Sequence, residues 1–451
     1  MRVKKSELAG MVRQLSDIND QIDRNKELLA EVNLSECQEL AIKLGEFIEE
    51  NYKETNTKAV IHQLEDYCEL IYQMALAENQ NTEMLLKLTK KVQIILADCE
   101  SAINVDLPKD RKQIVFLPYK ASMWDSLESI WMAARDDPDV DAYVIPIPYC
   151  DRNPDGSIRQ WHYEGDQYPD YVPVIDWQKY SIPDEKPDVI FIHNPYDGNN
   201  YVTNVHPSFY SSELKKYTNK LVYVPYFVLG EIDPNNQEVI DGMKHFIAVS
   251  GMIYADRVIV QSEDMKKIYV NEYLKFARNI GLTGKHLERK FQENRILGVG
   301  SPKFDKIQRM MNSDIDIPKE WKQCIFRLDG SRKKVILYNN SISALLQEND
   351  RMLSKMLRVF DVFKKNTENV TLLWRPHPLI QSTLTSMRPA LWEEYKKIVE
   401  IYRTEAWGIY DESADLDRAV SLSDAYYGDP SSVIQLYKIV KKPVMVVNIE
   451  E

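Results

Sequence analysis

Two segments in the last third of the chain gather residue types that bind phosphate. The apolar run Val370–Trp374 reads as a buried parallel strand, and Arg375-Pro376-His377-Pro378 follows directly at its end. Further on, Asp424-Ala425-Tyr426-Tyr427-Gly428-Asp429-Pro430-Ser431-Ser432-Val433 leads from a short strand pattern into a helical pattern over 433–440. Ligands of open α/β sheets sit outside the carboxyl ends of strands, and a helix start with unbonded N–H groups attracts anions. A guanidinium, an imidazole and two serine hydroxyls thus converge on one rim. That combination points to a phosphorylated, nucleotide-activated substrate.

Each group also has a plainer reading. Arg375 can clamp phosphate through two parallel hydrogen bonds, or close a salt bridge at its strand end. His377 can hydrogen-bond or protonate a phosphate oxygen, or be a surface histidine held rigid between two prolines, which fix φ near about −65°. Ser431 and Ser432 offer hydroxyls and amides to a phosphate, or simply cap a helix. Asn340, Ser341 and Ser343 follow the strand pattern Val335–Tyr338, open the first helix of the same region, and could line the same rim or serve as caps.

The elements that must position these groups fall into three regions. Residues 1–105 read as all-helical, with no proline. There Leu8, Met11, Leu15, Ile18, Ile22, Leu29 and Val32 recur at heptad spacing with Asn25 on the same seam, a pattern shared by a packed helical bundle and a dimerising coiled coil. From Pro108 strand patterns alternate with helical ones: Gln113–Leu117, Ala142–Ile147, Val189–His193, Leu221–Val224, Arg257–Gln261 and Ile296–Val299. Such alternation predicts a doubly wound parallel sheet. The stretch Pro148–Pro187, rich in Pro, Tyr and Asp, reads as an extended loop or an insertion. Its aromatic residues Trp161, Tyr163, Tyr168, Tyr171, Trp177 and Tyr180 could stack a sugar or simply pack the loop. After Gly298-Val299-Gly300-Ser301-Pro302 a second α/β set begins, with one helix over Ser343–Lys365 and a last strand over Pro443–Asn448. The fold class is therefore α/β, with two Rossmann-like domains facing a cleft, over 106–300 and 301–451, preceded by the helical region.

Bulk properties narrow the function. Of 451 residues, 28% are charged and the formal net charge is −12, against a nucleic-acid binder that must replace counterions with a basic face. No apolar run approaches the roughly 18–20 residues of a membrane span, and MRVKKSELAG lacks a signal-peptide core. These imply a cytoplasmic protein, with peripheral contact at the inner face of the cell membrane left open. The five cysteines form no CxxC pair and read as free thiols. No His/Cys spacing suits a metal, the acidic run Asp136–Asp141 reads as a solvated turn, and no metal or other cofactor is expected.

Taken together, the strand-Arg-Pro-His-Pro segment, Ser423-Asp424-Ala425-Tyr426-Tyr427-Gly428-Asp429-Pro430-Ser431-Ser432-Val433 and the joint Gly298–Asp305 resemble the CDP-glycerol glycerophosphotransferase family, the teichoic-acid primases and polymerases with a GT-B fold. The resemblance spans roughly residues 110 to 451. It implies that His377 is essential for transfer, and that Arg375, Asp429, Ser431 and Ser432 bind the donor pyrophosphate in the C-terminal domain. Two family features are replaced here: Pro225-Tyr226 stands where a His-Gly pair is usual, and Asn339–Ser343 stands where Pro-Thr-x-Arg is usual. His193, at its strand end, and Asp197 are then the candidate bases for the acceptor hydroxyl, with Lys120, Ser122, Asp125 and Glu231 as further candidate contacts on that side. For His193 a bond within its own Asn-Pro turn is the plainer reading.

The expected activity is transfer of glycerol phosphate from CDP-glycerol to a hydroxyl of a polymer or glycolipid acceptor during synthesis of a cell-surface polymer. Two alternatives stand beside it. One is a GT-B glycosyltransferase using a nucleotide sugar. The other is a non-catalytic family descendant acting as an assembly protein, with homo-oligomers formed through the N-terminal helices.

Overall fold

The computed structural model describes residues 5–24, 34–52, 57–77, 82–312, 315–413 and 415–447. The chain forms two compact units, Met1–Arg111 and Lys112–Glu451. The first contains α1 (Lys5–Arg24), α2 (Leu34–Asn51), α3 (Lys58–Ala77) and α4 (Thr82–Val105). α4 packs against α1 and α3, and α3 against α2. The heptad stripe of α1 explains its place: Leu8, Leu15 and Ile22 are buried, and Met11 and Ile18 pack at the edge of the same core. Buried Asn19 spends its amide on the Thr89 carbonyl of α4, at 3.0 Å. The stripe is therefore covered by helices of its own chain, as in a bundle. The seam positions Asn25, Leu29 and Val32 lie outside the described residues.

The second unit carries β1 (Lys112–Leu117), β2 (Val140–Val144), β3 (Tyr149–Arg152), β4 (Ile158–His162), β5 (Val189–Ile192), β6 (Thr203–Val205), β7 (Lys220–Tyr223), β8 (Arg257–Val260) and β9 (Ile296–Gly298), which make up its first half. β10 (Lys334–Asn339), β11 (Val370–Trp374), β12 (Ile409–Tyr410), β13 (Ala425–Gly428) and β14 (Val444–Val446) form the second half. The first half has a parallel sheet ordered β2-β1-β5-β7-β8-β9, and the second a parallel sheet ordered β12-β11-β10-β13-β14. Central strands buried on both faces read as continuous apolar runs, and Val115-Phe116-Leu117 and Leu372-Leu373-Trp374 are almost fully buried. Two Rossmann-like halves joined through helix Pro302–Met311 make a GT-B-like α/β unit. In each sheet one strand, β1 or β10, has its successors running off in opposite directions. Those strand pairs are the switch points at which open sheets bind ligands.

Three local expectations are corrected. Of the two readings of Pro148–Pro187, the extended loop gives way to an insertion with structure of its own: β3 and β4 form a hairpin that pairs antiparallel with β6. Its turn closes through the Gly156 N–H to the Asn153 carbonyl at 2.9 Å, with Gly156 at φ +82, where a side chain would be strained. The expected helix over Ser343–Lys365 is two, Ile342–Glu348 and Asp350–Lys364. Asn349 separates them at φ +46 and ψ −120, outside helical geometry. The last strand is shorter than expected and ends at Val446, while Asn448 lies outside the described residues. The acidic run Asp136–Asp139 is exposed, at the amino-end rim of β2. Among the described residues, no helix is long and apolar enough to cross a membrane. All five cysteines are free thiols.

Candidate functional site in the cleft of the second unit

β11 ends at buried Trp374, whose indole N–H donates to Asn340 Oδ1 at 2.9 Å. The chain then turns through Arg375–Pro378, held to β10 on both sides: the Arg375 N–H donates to the Tyr338 carbonyl at 3.0 Å, and Asn339 Nδ2 to the Arg375 carbonyl at 3.0 Å. At the same switch point Gly428, at φ +151, lets β13 close on β10. A Cβ there would lie 2.1 Å from the Asn339 carbonyl oxygen.

Two cavities flank this loop. Ser122, Arg375, Pro376, His377 and Pro378 line both, so the imidazole stands on their shared wall. The first, of about 200 Å³, adds Lys120 and Glu164 from the first half and Trp392, Tyr395 and Tyr410 from the second. The other, of about 80 Å³, adds Tyr226, Phe227, Lys303, Asn339 and Ser432.

His377 accepts the Leu379 N–H on Nδ1 at 3.1 Å, so the neutral ring carries its proton on Nε2. Its pKa is lowered to about 4 by burial first, then by the charges of Lys120, Lys303 and Arg375. Without a bound anion the imidazole is therefore a neutral hydrogen-bond donor. The surrounding cations are themselves held. Arg375 pairs with buried Asp411 and donates to the Ser413 carbonyl at 2.7 Å. Lys303 pairs with buried Asp125. Lys120, its pKa lowered by burial despite the pull of Glu164 and Asp151, donates to the Tyr149 hydroxyl at 2.8 Å and lies 3.8 Å from Glu164. The rim thus combines fixed positive charge with one ring that can gain it.

The remaining expected residues divide sharply. Ser432 reaches the second cavity; it precedes helix Val433–Ile439 and makes no side-chain cap. Ser431 bonds Tyr426 through its hydroxyl at 3.1 Å. Asp429 does not face the cleft openly: it is buried, with Oδ1 on Lys355 Nζ at 2.8 Å and Oδ2 on the Ser341 N–H at 2.8 Å. Its carboxylate tethers the β13 loop to helix Asp350–Lys364, and a second anion would be repelled there. Ser341 caps helix Ile342–Glu348 by accepting the Ala344 N–H, and its hydroxyl also contacts that of Ser343. Asn340 is engaged with Trp374. None of Asn340, Ser341 and Ser343 lines either cavity.

On the first half, His193 and Asp197 point inward. His193 is fully buried: Nε2 accepts the Tyr119 N–H at 3.0 Å, so Nδ1 carries the proton to Ser126 Oγ at 2.9 Å. Burial lowers its pKa to about 3, and both nitrogens are occupied, which removes the free lone pair a base needs. The alternative of a bond within its own turn is not met either, because the β1 loop takes the ring. Asp197 accepts both the N–H and the hydroxyl of Ser211, at 2.9 and 2.6 Å, and burial raises its pKa to about 6. It fixes the turn before helix Ser211–Leu214. Glu231 accepts the Ser262 hydroxyl at 2.8 Å.

The sequence reading missed Lys303, Glu164 and Tyr226 as cleft residues. Lys303 carried a usable signal, a cation in the first turn of a helix that opens with Pro302 just after a strand and a Gly-x-Gly joint. Among the described residues no cluster of His, Cys, Asp and Glu could hold a metal.

No protein-family model matches this chain, and no curated protein matches it by sequence. Solved structures that resemble it include the wall teichoic acid polymerase TagF, 14% identical over 84% of this chain and 78% of that one, with a TM-score of 0.41. Others are a UDP-GlcNAc 2-epimerase of Methanocaldococcus jannaschii with UDP-GlcNAc and UDP (13%, 74% and 83%, TM-score 0.44) and MnaA of S. aureus with UDP (13%, 75% and 79%, TM-score 0.42).

Proposed function

We propose that the protein is a transferase that moves glycerol phosphate from CDP-glycerol to a hydroxyl acceptor, a polymer or glycolipid, in the synthesis of a cell-surface polymer. One observation carries this reading: Arg375 and His377 line both of two adjoining cavities at the carboxyl ends of two parallel sheets, with Lys120 added in one and Lys303 in the other. A pyrophosphate placed there offsets the cationic charge that adds to burial in holding His377 neutral. Preorganised donors around a leaving phosphate act where charge develops in the transition state. Arg375 and Lys303, already oriented by their carboxylate partners, are fixed dipoles and charges of that kind. The Arg-Pro-His-Pro and Asp-x-Ser-Ser motifs add the specific resemblance to glycerophosphotransferases.

A nucleotide-sugar glycosyltransferase would use the same phosphate rim, and the head group separates the two. Isothermal calorimetry with CDP-glycerol, CDP-ribitol, UDP-sugars and GDP-sugars tests the reading. Binding of CDP-glycerol is expected, with His377→Ala abolishing transfer while the fold is kept. Strong binding of a nucleotide sugar with no response to CDP-glycerol assigns the site to the other donor class. Pairing of each cleft cation with a carboxylate is the observation that favours a non-catalytic descendant. That reading holds if no donor is bound at all.

A further inference from the structure

Activating an acceptor hydroxyl needs a proton acceptor on the cleft wall, and the expected ones, His193 and Asp197, are bonded inward. Three other groups lining the two cavities could serve: His377, Glu412 and Glu164. His377 has its one lone pair bonded to the Leu379 N–H. Glu412 belongs to the second half, next to the Arg375 partner Asp411, and its exposed carboxylate pairs with Arg403 at 3.0 Å. Glu164 lies on the first half and faces the cavity that also holds His377.

Its carboxylate is aimed rather than spent. Oε2 accepts the Ala121 N–H at 2.8 Å and Oε1 accepts the Tyr149 hydroxyl at 2.5 Å. A carboxylate offers about four lone-pair sites; Oε2 keeps one, while the second site on Oε1 faces the Lys120 ammonium at 3.8 Å. Both donors are rigid: Ala121 begins the turn after β1, and Tyr149 is the buried first residue of β3, under the Lys120 ammonium at 4.3 Å from its ring centroid. The side chain is 16% exposed, enough to be reached from the cavity.

We infer that Glu164 is the general base that takes the proton of the acceptor hydroxyl, which rests on the transfer reading given above. The acceptor O–H bond breaks and its proton passes to a Glu164 oxygen. The acceptor oxygen forms a bond to the distal phosphorus of the nucleoside diphosphate donor. The bridging P–O bond breaks, and its electron pair leaves with the nucleoside monophosphate. The β3–β4 hairpin segment thereby supplies the group that the strand ends lack.

The test uses the full chain, CDP-glycerol, and glycerol or a poly(glycerol phosphate) fragment as acceptor. Donor affinity is read by calorimetry and turnover by CMP release. Glu164→Gln is expected to keep donor affinity and thermal stability, and to slow CMP release by about 100- to 10,000-fold, the usual contribution of a positioned base. In Glu164→Ala, added sodium formate or azide should restore part of the rate, which a loop anchor would not show. Wild-type turnover by Glu164→Gln overturns the inference. So does loss of donor affinity and stability together in that variant, or a wild type that binds CDP-glycerol and releases no CMP. Failure of the wild type to bind CDP-glycerol instead ends the transfer reading itself, and calorimetry shows it before any rate is measured.

Discussion

His377 and Leu379 are locked to each other: the backbone N–H of Leu379 donates to Nδ1 of the imidazole two residues earlier, at 3.1 Å. The bond fixes the tautomer, and burial, reinforced by the cations around the ring, keeps it neutral. The histidine pKa measured by NMR is expected near 4 in the free protein. An anion in the cleft favours the charged ring, so inorganic pyrophosphate should raise that pKa, as should Lys120→Met by removing a nearby cation. A resonance that titrates at the ordinary histidine value in the free protein would contradict this electrostatic picture.

Asp429 is expected to behave as a structural residue. Asp429→Asn leaves the Lys355 ammonium without its carboxylate in a buried site, and breaking such a pair costs about 3–5 kcal/mol. Pairing it with Lys355→Met should return much of that stability. The double variant should bind CDP-glycerol within a few-fold of the wild type. Calorimetry and chemical denaturation read the two effects separately, and a stable double variant with no donor binding would restore Asp429 to the site.

Lys303 should show the opposite split. Lys303→Met strands Asp125, so stability falls by a similar amount. Adding Asp125→Asn should recover stability but not donor affinity, because the cation facing the cleft is gone. A double-mutant cycle on denaturation free energies measures the coupling. Recovery of both properties would exclude Lys303 from donor binding.

Acid sensitivity should trace partly to His193. Its folded pKa, about 3, lies below the ordinary 6.5, so the unfolded chain binds the extra proton between those values. The contribution to stability is complete above about pH 6.5 and is lost as pH falls towards 3. His377 acts with the same sign, from 6.5 down to about 4. Asp197, raised to about 6, acts with the opposite sign between 3.8 and 6. Melting temperatures of the wild type are expected to drop more between pH 6.5 and 4.5 than those of His193→Asn. Equal slopes would mean that His193 is protonated without cost.

Much of this was legible in the chain because parallel strands announce themselves as apolar runs. Val370–Trp374 could be placed from its apolar run, and so could Val189–His193, which ends one residue earlier at Ile192. His377 and Ser432 reached the cleft because their position depends on local sequence: a strand end, two prolines, a helix start. What could not be read depends on partners far away. Lys303 meets Asp125 across 178 positions, and Asp429 meets Lys355 across 74. The orientation of His193 is set by the Tyr119 amide, also 74 positions away. Glu164 hid in a stretch whose prolines and tyrosines obscured a hairpin.

Helix Pro302–Met311 carries two lysines whose partners lie on different halves. Lys303 is tied to Asp125, while Lys306 stands 3.2 Å from Glu128 of the first half and 3.5 Å from Asp417 of the second. Burial opposes the Lys306 charge, but the carboxylates outweigh it and raise its pKa. Separating the halves breaks at least one of these pairs, whichever half the helix follows. The helix is therefore an ionic seam between the halves, and a change in the width available to an acceptor has to rearrange at least one of these buried charges.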